Sequence, residues 1–398
     1  MTIEFNEVLK ALGIDSAPPL LEQIFNSPDF EKESDCYLRR DFLESISNKY
    51  DILGHWQEEA LGKAEKICEN RMFRIYFNLC IKYLDVIGED FEAALKLNMP
   101  VEKDCKDASD VFPLFVLFHE FSKAEKRYRA LGLGEEKIWQ EIHSIGQRFV
   151  DYSDRQKSAM VIPYAYIWNM NYIYARIVNL CGYNFEVNVF THDAVCLKNI
   201  VTGQLQVLLI NQRMHRDGFV LGTDGYTDSK DAWDATYEET EDAFIGYAAN
   251  DKGIVVNKRL VFPKTEWKKI AAKGDKLLSL HIPKGADMTK DNLDTVLSEG
   301  SRKAKKIFGE TSILYCFSWL LEPRFEKILK PESNIVAFGK RFKRFPVLCD
   351  GKGVFSNIFP DSNGKYDELP ENTSLERAVK KHYLDGKFLY LYPGIIEI

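Results

Sequence analysis

The rhythm of apolar positions changes once along the chain. Up to about residue 156 they recur at helical spacing: Phe42, Ile46 and Tyr50, then Met72, Ile75, Tyr76, Leu79 and Tyr83, then Phe112, Phe115, Val116, Phe118, Phe121 and Tyr128 between Val111 and Leu131. Gly132-Leu133-Gly134 breaks the pattern and Glu135 to Val150 resumes it. An aromatic-rich stretch, Tyr164 to Leu180, predicts one further helix. The period then becomes two, which predicts strands at Phe185 to Val189, Ala194 to Asn199 and Leu205 to Asn211, with Gly203 in a turn. Asp217 to Ala243 is polar and Gly-rich, as expected of loops with a short strand, and Ile254 to Phe262 and Trp267 to Ala272 lead into a strand at Leu277. Ser374 to Tyr383 predicts a helix and Phe388 to Tyr392 a last strand. The expectation is an α+β chain: a helical domain over residues 1–156, then a mixed β-sheet domain flanked by helices over 157–398, with 157–183 as a bridging helix.

The segment from Leu277 to Phe342 carries the most chemistry. In Leu277-Leu278-Ser279-Leu280-His281-Ile282 the alternation places Leu278, Leu280 and Ile282 on one face and Ser279 and His281 on the other. Pro283 has no N–H for a ladder and stops the strand. Lys284-Gly285-Ala286-Asp287 is a turn, and Thr289 suits the N-cap of a helix with apolar positions Leu293, Val296, Leu297, Ala304 and Phe308. Ile313 to Phe317 is a second strand, and Pro323 fits the first turn of the next helix. A strand end, a glycine turn and a helix start in succession form a place where α/β proteins hold phosphorylated ligands.

Composition narrows the class. The 398 residues suggest two domains, and 45% apolar with 28% charged residues is ordinary for a soluble globular protein. A net charge of −7 disfavours nonspecific nucleic-acid binding, although a charge count leaves room for a local basic patch. Met1-Thr2-Ile3-Glu4-Phe5-Asn6 has no basic or apolar leader, and no apolar run reaches the roughly 18 residues of a membrane helix, so the expectation is a cytoplasmic protein without a membrane partner. Eight cysteines occur without a C-x-x-C pair, which fits buried free thiols in a reducing compartment better than disulfides or zinc. His119-Glu120 is followed by Lys123 rather than His, and there is no G-x-S-x-G elbow, no Walker A loop and no G-x-G-x-x-G after a strand.

Ordered blocks of sequence carry a resemblance. GDKLLSLHIPKG (Gly274 to Gly285), CFSWLLEP (Cys316 to Pro323), SNIVAFGKRF (Ser333 to Phe342) and TSLERAV (Thr373 to Val379), with YARIVNLCGYNFE (Tyr174 to Glu186) as a looser match, resemble the bacterial two-domain N-acyltransferase family. In that family a helical N-terminal domain precedes a GNAT-like acyltransferase domain, and the resemblance covers most of this chain. It implies acyl transfer from acetyl-CoA or another acyl-CoA to an amine, by direct attack, without a metal. Two neighbouring strands, here Leu277–Ile282 and Ile313–Trp319, would splay around the thioester, and the helical domain would cover the mouth. The implied acceptor is a small-molecule or peptide amine. Acyl length, oligomeric state and acceptor identity stay open. The alternative is a non-catalytic GNAT-like binding or scaffold protein that has lost the pyrophosphate loop.

Candidate residues follow, each with its plainer reading. Arg129 to Gly134 spells R-x-x-G-x-G, the pyrophosphate-loop pattern, but a helix precedes it, so a helix C-cap is the better reading. Pro283 to Thr289 has the right context and a single glycine; Lys284, Gly285 and Thr289 are the candidates for phosphate binding, or an ordinary β–α turn. His281 is the candidate general base, or a structural histidine. Ser318 and Glu322 stand where the next strand opens, to orient an amine or protonate a thiolate; Glu322 equally suits capping its own helix. Cys316 reads as a small buried residue. Asn334 and Arg341, with Lys340, Lys343 and Arg344, suit the 3′-phosphate of CoA or a solvated face.

Overall fold

The computed structural model describes residues 3–32, 37–101, 105–162, 165–309, 311–360, 362 and 364–398, and the statements below concern these. Two compact units divide the chain, Met1–Val178 and Asn179–Ile398. Among the described residues of the first, all regular elements before Ile177 are helical. They are α1 (Phe5–Ala11), α2 (Pro19–Phe25), α3 (Arg40–Tyr50), α4 (Gln57–Glu69), α5 (Arg71–Ile87), α6 (Phe91–Ala94), α7 (Lys106–Ala130), α8 (Glu135–Gln156) and α9 (Ala165–Ile173). The aromatic positions read at helical spacing form the core. Phe112 of α7 packs among Phe73, Tyr76 and Phe77 of α5 with ring centroids 5.4–6.1 Å apart. Such pairs add about 0.5–1.5 kcal/mol beyond the area they bury.

Two expectations need correction here. The helix expected over Tyr164 to Leu180 covers only Ala165–Ile173, and Ile177–Leu180 is strand β1; Tyr164 lies outside the described residues. Ala175 adopts φ 50°, which ends the helix. A continuous apolar run fits a helix and a buried strand alike, so the pattern did not separate them. Six cysteines are free thiols, but Cys68 is disulfide-bonded, against the expectation of free thiols throughout; Cys36 lies outside the described residues.

The second unit is built on strands β2 (Tyr183–Val189), β3 (Ala194–Asn199), β4 (Leu205–Leu209), β5 (Gln212–Met214), β6 (Trp233–Ala235), β7 (Glu238–Glu239), β8 (Ala243–Gly246), β9 (Leu260–Pro263), β10 (Trp267–Ala272), β11 (Lys276–His281), β12 (Ile313–Ser318), β13 (Lys343–Arg344) and β14 (Tyr392–Glu397). The main sheet runs β1-β2-β11-β12-β14-β13; three smaller sheets run β10-β3-β4, β5-β6 and β7-β8-β9. In the main sheet β11 and β12 are parallel, and β11–β2, β12–β14 and β13–β14 are antiparallel. A continuous helical run follows β11: α10 (Lys290–Thr295), a π-turn at Val296–Gly300, and α11 (Ser301–Phe308). Its Leu293, Val296 and Ala304 bury Leu278 and Leu280 of β11 and Leu314 and Cys316 of β12. On the opposite face Leu277, Ile313 and Ile395 pack with Phe190, Phe345 and the residues of β3 and β4. The final strand is Tyr392–Glu397, not Phe388 to Tyr392. Pro393-Gly394 reads as a turn, yet it lies inside the sheet, Pro393 opposite Phe317 and Gly394 opposite Cys316. Glycine is required there by close approach: a Cβ at Gly394 would meet Leu321 and Phe342 side-chain carbons at 2.8 Å.

Glycines in the helical unit separate packing from propensity. A Cβ at Gly146 of α8 would lie 2.5 Å from Ile52 Cα and 2.7 Å from its carbonyl oxygen, whereas one at Gly62 of α4 meets nothing within 4 Å. Gly146→Ala should therefore destabilise by about 1–3 kcal/mol. Gly62→Ala should stabilise by about 0.5–1 kcal/mol. Urea unfolding of both variants checks the opposite signs.

Candidate active site

β11 and β12 share only two rungs of register, Leu278 with Leu314 and Ser279 with Tyr315, although β11 continues to His281 and β12 to Ser318. Each stays paired on its outer side: β11 with β2 as far as His281–Asn184, and β12 with β14 as far as Ser318–Tyr392. The two strands thus part after Ser279 and Tyr315, while the sheet on either side remains intact. Two successive positions on each strand, Leu280 and His281 against Cys316 and Phe317, flank the gap with no rung to one another.

Three side chains mark the face of this gap away from α10 and α11. His281 Nε2 lies 2.8 Å from Oε2 of Glu186, which is almost fully buried on β2. A carboxylate on one ring nitrogen fixes the tautomer in which the other nitrogen accepts a proton. Ser279, 2% exposed, has no hydrogen-bond partner for its hydroxyl among the described residues. A buried hydroxyl left unpaired costs about 1–3 kcal/mol, so a group that bonds it is favoured at this place. Tyr315, level with Ser279, has its hydroxyl 2.6 Å from His192 Nε2. Burial lowers the His192 pKa below its ordinary value and raises that of Tyr315, so both stay neutral at pH 7.

The turn after β11 has the expected form. Ala286 N–H donates to the Pro283 carbonyl at 3.1 Å and Gly285 adopts φ 77°, the left-handed conformation that a turn of this kind demands at its third position. Lys284, Gly285 and Thr289 are all exposed. Thr289 occupies the N-cap position of α10, but its own side chain makes no cap; Asp287 Oδ1 accepts the Thr289 N–H at 2.8 Å instead. That bond holds the Asp287 carboxyl below its usual range. Arg341 is brought to this helix by an ion pair with Asp294. Asn334 begins a separate short helix, α13 in chain order after α12 (Phe325–Ile328), at Asn334–Gly339, and is exposed. Lys343 pairs with Asp251, and buried Arg344 pairs with Glu326, so the basic group disperses over several partners.

The residues after β12 are committed to the backbone. Ser318 Oγ accepts the Leu320 N–H at 3.2 Å. Glu322, a candidate to orient an amine or protonate a thiolate, is fully buried, accepting Tyr390 N–H at 2.6 Å and Arg324 N–H at 3.0 Å. Burial pushes its carboxyl up from the usual range. Cys316 is buried and burial raises its thiol pKa, which disfavours the thiolate. Arg129 to Gly134 joins α7 to α8, and Arg129 pairs with Glu125 and Glu135. Sequence reasoning missed Glu186 and Tyr315, and gave Ser279 no role beyond its place on the His281 face. Their significance comes from cross-strand register, which a single strand's alternation does not encode.

No helix among the described residues is long and apolar enough to cross a membrane, and no group of three His, Cys, Asp or Glu there is placed to hold a metal ion. Residues 200–396 match the model of the family described as the GNAT-like C-terminal domain. No curated protein matches the chain in sequence. Among solved structures, it is similar to an acyltransferase mutant in complex with octanoyl-CoA, with TM-score 0.67 and 14% identity over 100% of both chains. It is similar to an acyltransferase in complex with decanoyl-CoA and teicoplanin, with TM-score 0.67 and 14% identity over 99% of both chains. A third, an acyltransferase with CoA and 10C-teicoplanin, gives TM-score 0.66 and 14% identity over 99% of both. At this identity the likeness is one of fold, and it extends over the helical and sheet units alike.

The burial of Glu322 has a measurable consequence. Replacing it with Ala removes the counter-ion of the partly buried Arg324, whose guanidinium keeps the Phe388 carbonyl, and leaves the Tyr390 N–H without its acceptor. Glu322→Ala should lose about 3–5 kcal/mol of stability in urea unfolding, the cost of breaking a buried pair from one side. Ser318→Ala, which removes one exchangeable cap, should lose no more than about 2 kcal/mol.

Proposed function

From the match of residues 200–396 to the GNAT-like C-terminal domain family, we propose that this chain is an acyltransferase moving an acyl group from acyl-CoA to an amine. One observation carries the reading: two parallel neighbours, β11 and β12, pair for two rungs and then part, and the first leads directly into a glycine turn and a helix start. A gap of that kind admits an extended thioester-bearing arm between two backbone edges. The helix start, with Lys284 and Arg341 beside it, suits the phosphates of the same molecule. The acyl-CoA seen with the similar acyltransferases supports the same donor here. Decanoyl-CoA and teicoplanin together in one of them support direct transfer between donor and acceptor. The acceptor proposed for this chain is a small-molecule or peptide amine.

The chemistry then runs without an acyl-enzyme. The amine lone pair attacks the thioester carbonyl carbon, and a backbone N–H on the parted edge of β11 stabilises the developing oxyanion. His281, oriented by Glu186, takes the proton that the attacking nitrogen must lose. The C–S bond breaks and the CoA thiolate leaves, taking up a proton. Ser318 and Glu322 act from behind, holding the chain after β12 in place. A second reading, a non-catalytic GNAT-like binding or scaffold protein that has lost the pyrophosphate loop, is favoured by one feature: Asp287 takes an N–H at the helix start that a phosphate would otherwise use.

Thermal shift with octanoyl-CoA tests the donor. At 100 times the Kd, a ligand bound only to the folded state adds about 2.7 kcal/mol. Lys284→Glu and Gly285→Glu should abolish that gain by setting negative charge where phosphates lie. Because Gly285 has φ 77°, its variant carries some strain of its own, and Lys284→Glu isolates the charge effect. An undiminished shift in both variants moves the phosphate site elsewhere.

His281→Gln should lower turnover by about 10²–10⁴-fold with octanoyl-CoA affinity retained, the typical effect of losing a general base. Glu186→Gln should change turnover in the same direction by a smaller factor. No thermal shift of the wild-type protein with octanoyl-CoA, and no transfer across a panel of amines, would favour the second reading.

A further inference from the structure

We infer that a cavity on the sheet face away from α10 and α11 is the acceptor subsite, and that it takes a small amine with an apolar or aromatic body. The inference rests on the acyl-transfer reading and adds the place and class of the acceptor.

The cavity, about 260 Å³, lies against Phe317 of β12 and is built entirely from the sheet-bearing unit. Alternation along β12 settles which face it occupies. Leu314 and Cys316 pack beneath the α10–α11 run, so Tyr315 and Phe317 face the other way. Phe317 is two residues beyond Tyr315, and His281 is two residues beyond Ser279, its partner on the last shared rung. The proposed base and the cavity rim are therefore equivalent positions on the two parting strands, one on each side of the gap. A donor held by its phosphates at the turn and helix comes from the helical face. The amine has to meet the carbonyl from the remaining side, where His281 and the cavity stand.

The lining fits an amine on an apolar body, which arrives as an ammonium and gives one proton to solvent before its lone pair attacks. Phe317 and Leu348 are 45% and 64% exposed, large apolar side chains left in solvent at the cavity's edge. Neither lysine nor arginine lines the cavity, and Asp193 is its one carboxylate. Asp193 has an ion pair with Lys273 at 2.7 Å, but both side chains are about half exposed, and such a pair is worth little. Phe317 and Phe345 add two rings whose faces attract a cation. His192, held by the Tyr315 hydroxyl, and Gln212 complete the polar wall. An acyl chain gains nothing from a carboxylate and an imidazole, so the donor's tail is the poorer occupant. At about 260 Å³ the space falls just below the roughly 300–1,000 Å³ of drug-sized ligand pockets, which suits a small molecule.

Phenethylamine is the probe, and Leu348→Trp is the variant, since an exposed position accepts an indole without disturbing the core. In saturation-transfer NMR the wild-type protein should show bound phenethylamine, and the variant should lose at least tenfold in affinity. With octanoyl-CoA as donor, the KM for phenethylamine should rise at least tenfold, while calorimetry finds octanoyl-CoA affinity within twofold of wild type. Tyr315→Phe should raise the same KM and leave octanoyl-CoA affinity intact, a split that general loosening of the sheet does not produce. No phenethylamine signal in the wild type, or equal signals in both proteins, overturns the inference. So does a variant that weakens octanoyl-CoA but not CoA, because the cavity then holds the donor's tail. Failure of the wild type to bind octanoyl-CoA sinks the acyl-transfer reading by itself, and the NMR comparison still decides whether the cavity takes the amine.

Discussion

Everything functional in the sheet unit depends on a short register. β11 and β12 are neighbours for two rungs and then separate, and a sheet tolerates this only because each strand is secured elsewhere. β11 keeps six residues in register with β2, and β12 keeps six with β14. The outer ladders supply the cohesion that the inner pair gives up. Beyond Ser279 and Tyr315 the two strands have no rung with each other, and a buried polar backbone group left without a partner is costly. On the proposed function, the amide and carbonyl groups of an extended acyl-CoA arm would pair with these edges, so that binding would answer the opening of the sheet.

The two faces of the sheet divide the remaining work. Leu278, Leu280, Leu314 and Cys316 make one face apolar, and the helical run after β11 covers it. That burial fixes where the run starts, and so holds the turn at Pro283–Ala286 directly over the end of β11. The other face begins apolar with Leu277 and Ile313 and becomes polar toward the gap, through Ser279 and Tyr315 to His281. One alternation of side chains therefore supplies both the anchor for the helix and the polar groups at the opening.

This division was partly legible in the chain. β3 and β10 were read with their observed ends, because alternation between clear turn residues leaves little choice of boundary. His281 and the turn that follows were read from the strand's alternation and from Pro283. β14 was misplaced because Pro393-Gly394 has the chemistry of a turn, and only the approach of Leu321 and Phe342 explains a glycine there. Glu186 was hidden for a different reason. It acquires meaning from lying beside Ser279 and reaching His281 across β2 and β11, strands separated by nearly ninety residues of chain. Periodicity reports what a strand buries, and register reports what it meets.

The phosphate site proposed above rests on a single glycine in the turn. Gly285 is needed for φ 77°, not for tight packing, since a Cβ there would meet nothing within 4 Å. The backbone on that side is consequently open to approach. Asp287 occupies the Thr289 N–H and brings a negative charge to the same end of the helix, which works against an anion. The first-turn N–H groups beyond Thr289, with Lys284 on the turn, provide the opposing attraction. Arg341, however, is tied to Asp294 one turn into the run. On the proposed donor site an incoming phosphate would draw on a guanidinium that already has a partner, and affinity would depend on how readily that ion pair is shared. A second glycine would add another N–H to this end of the run, but it would leave the competition between Asp287 and the ligand unchanged.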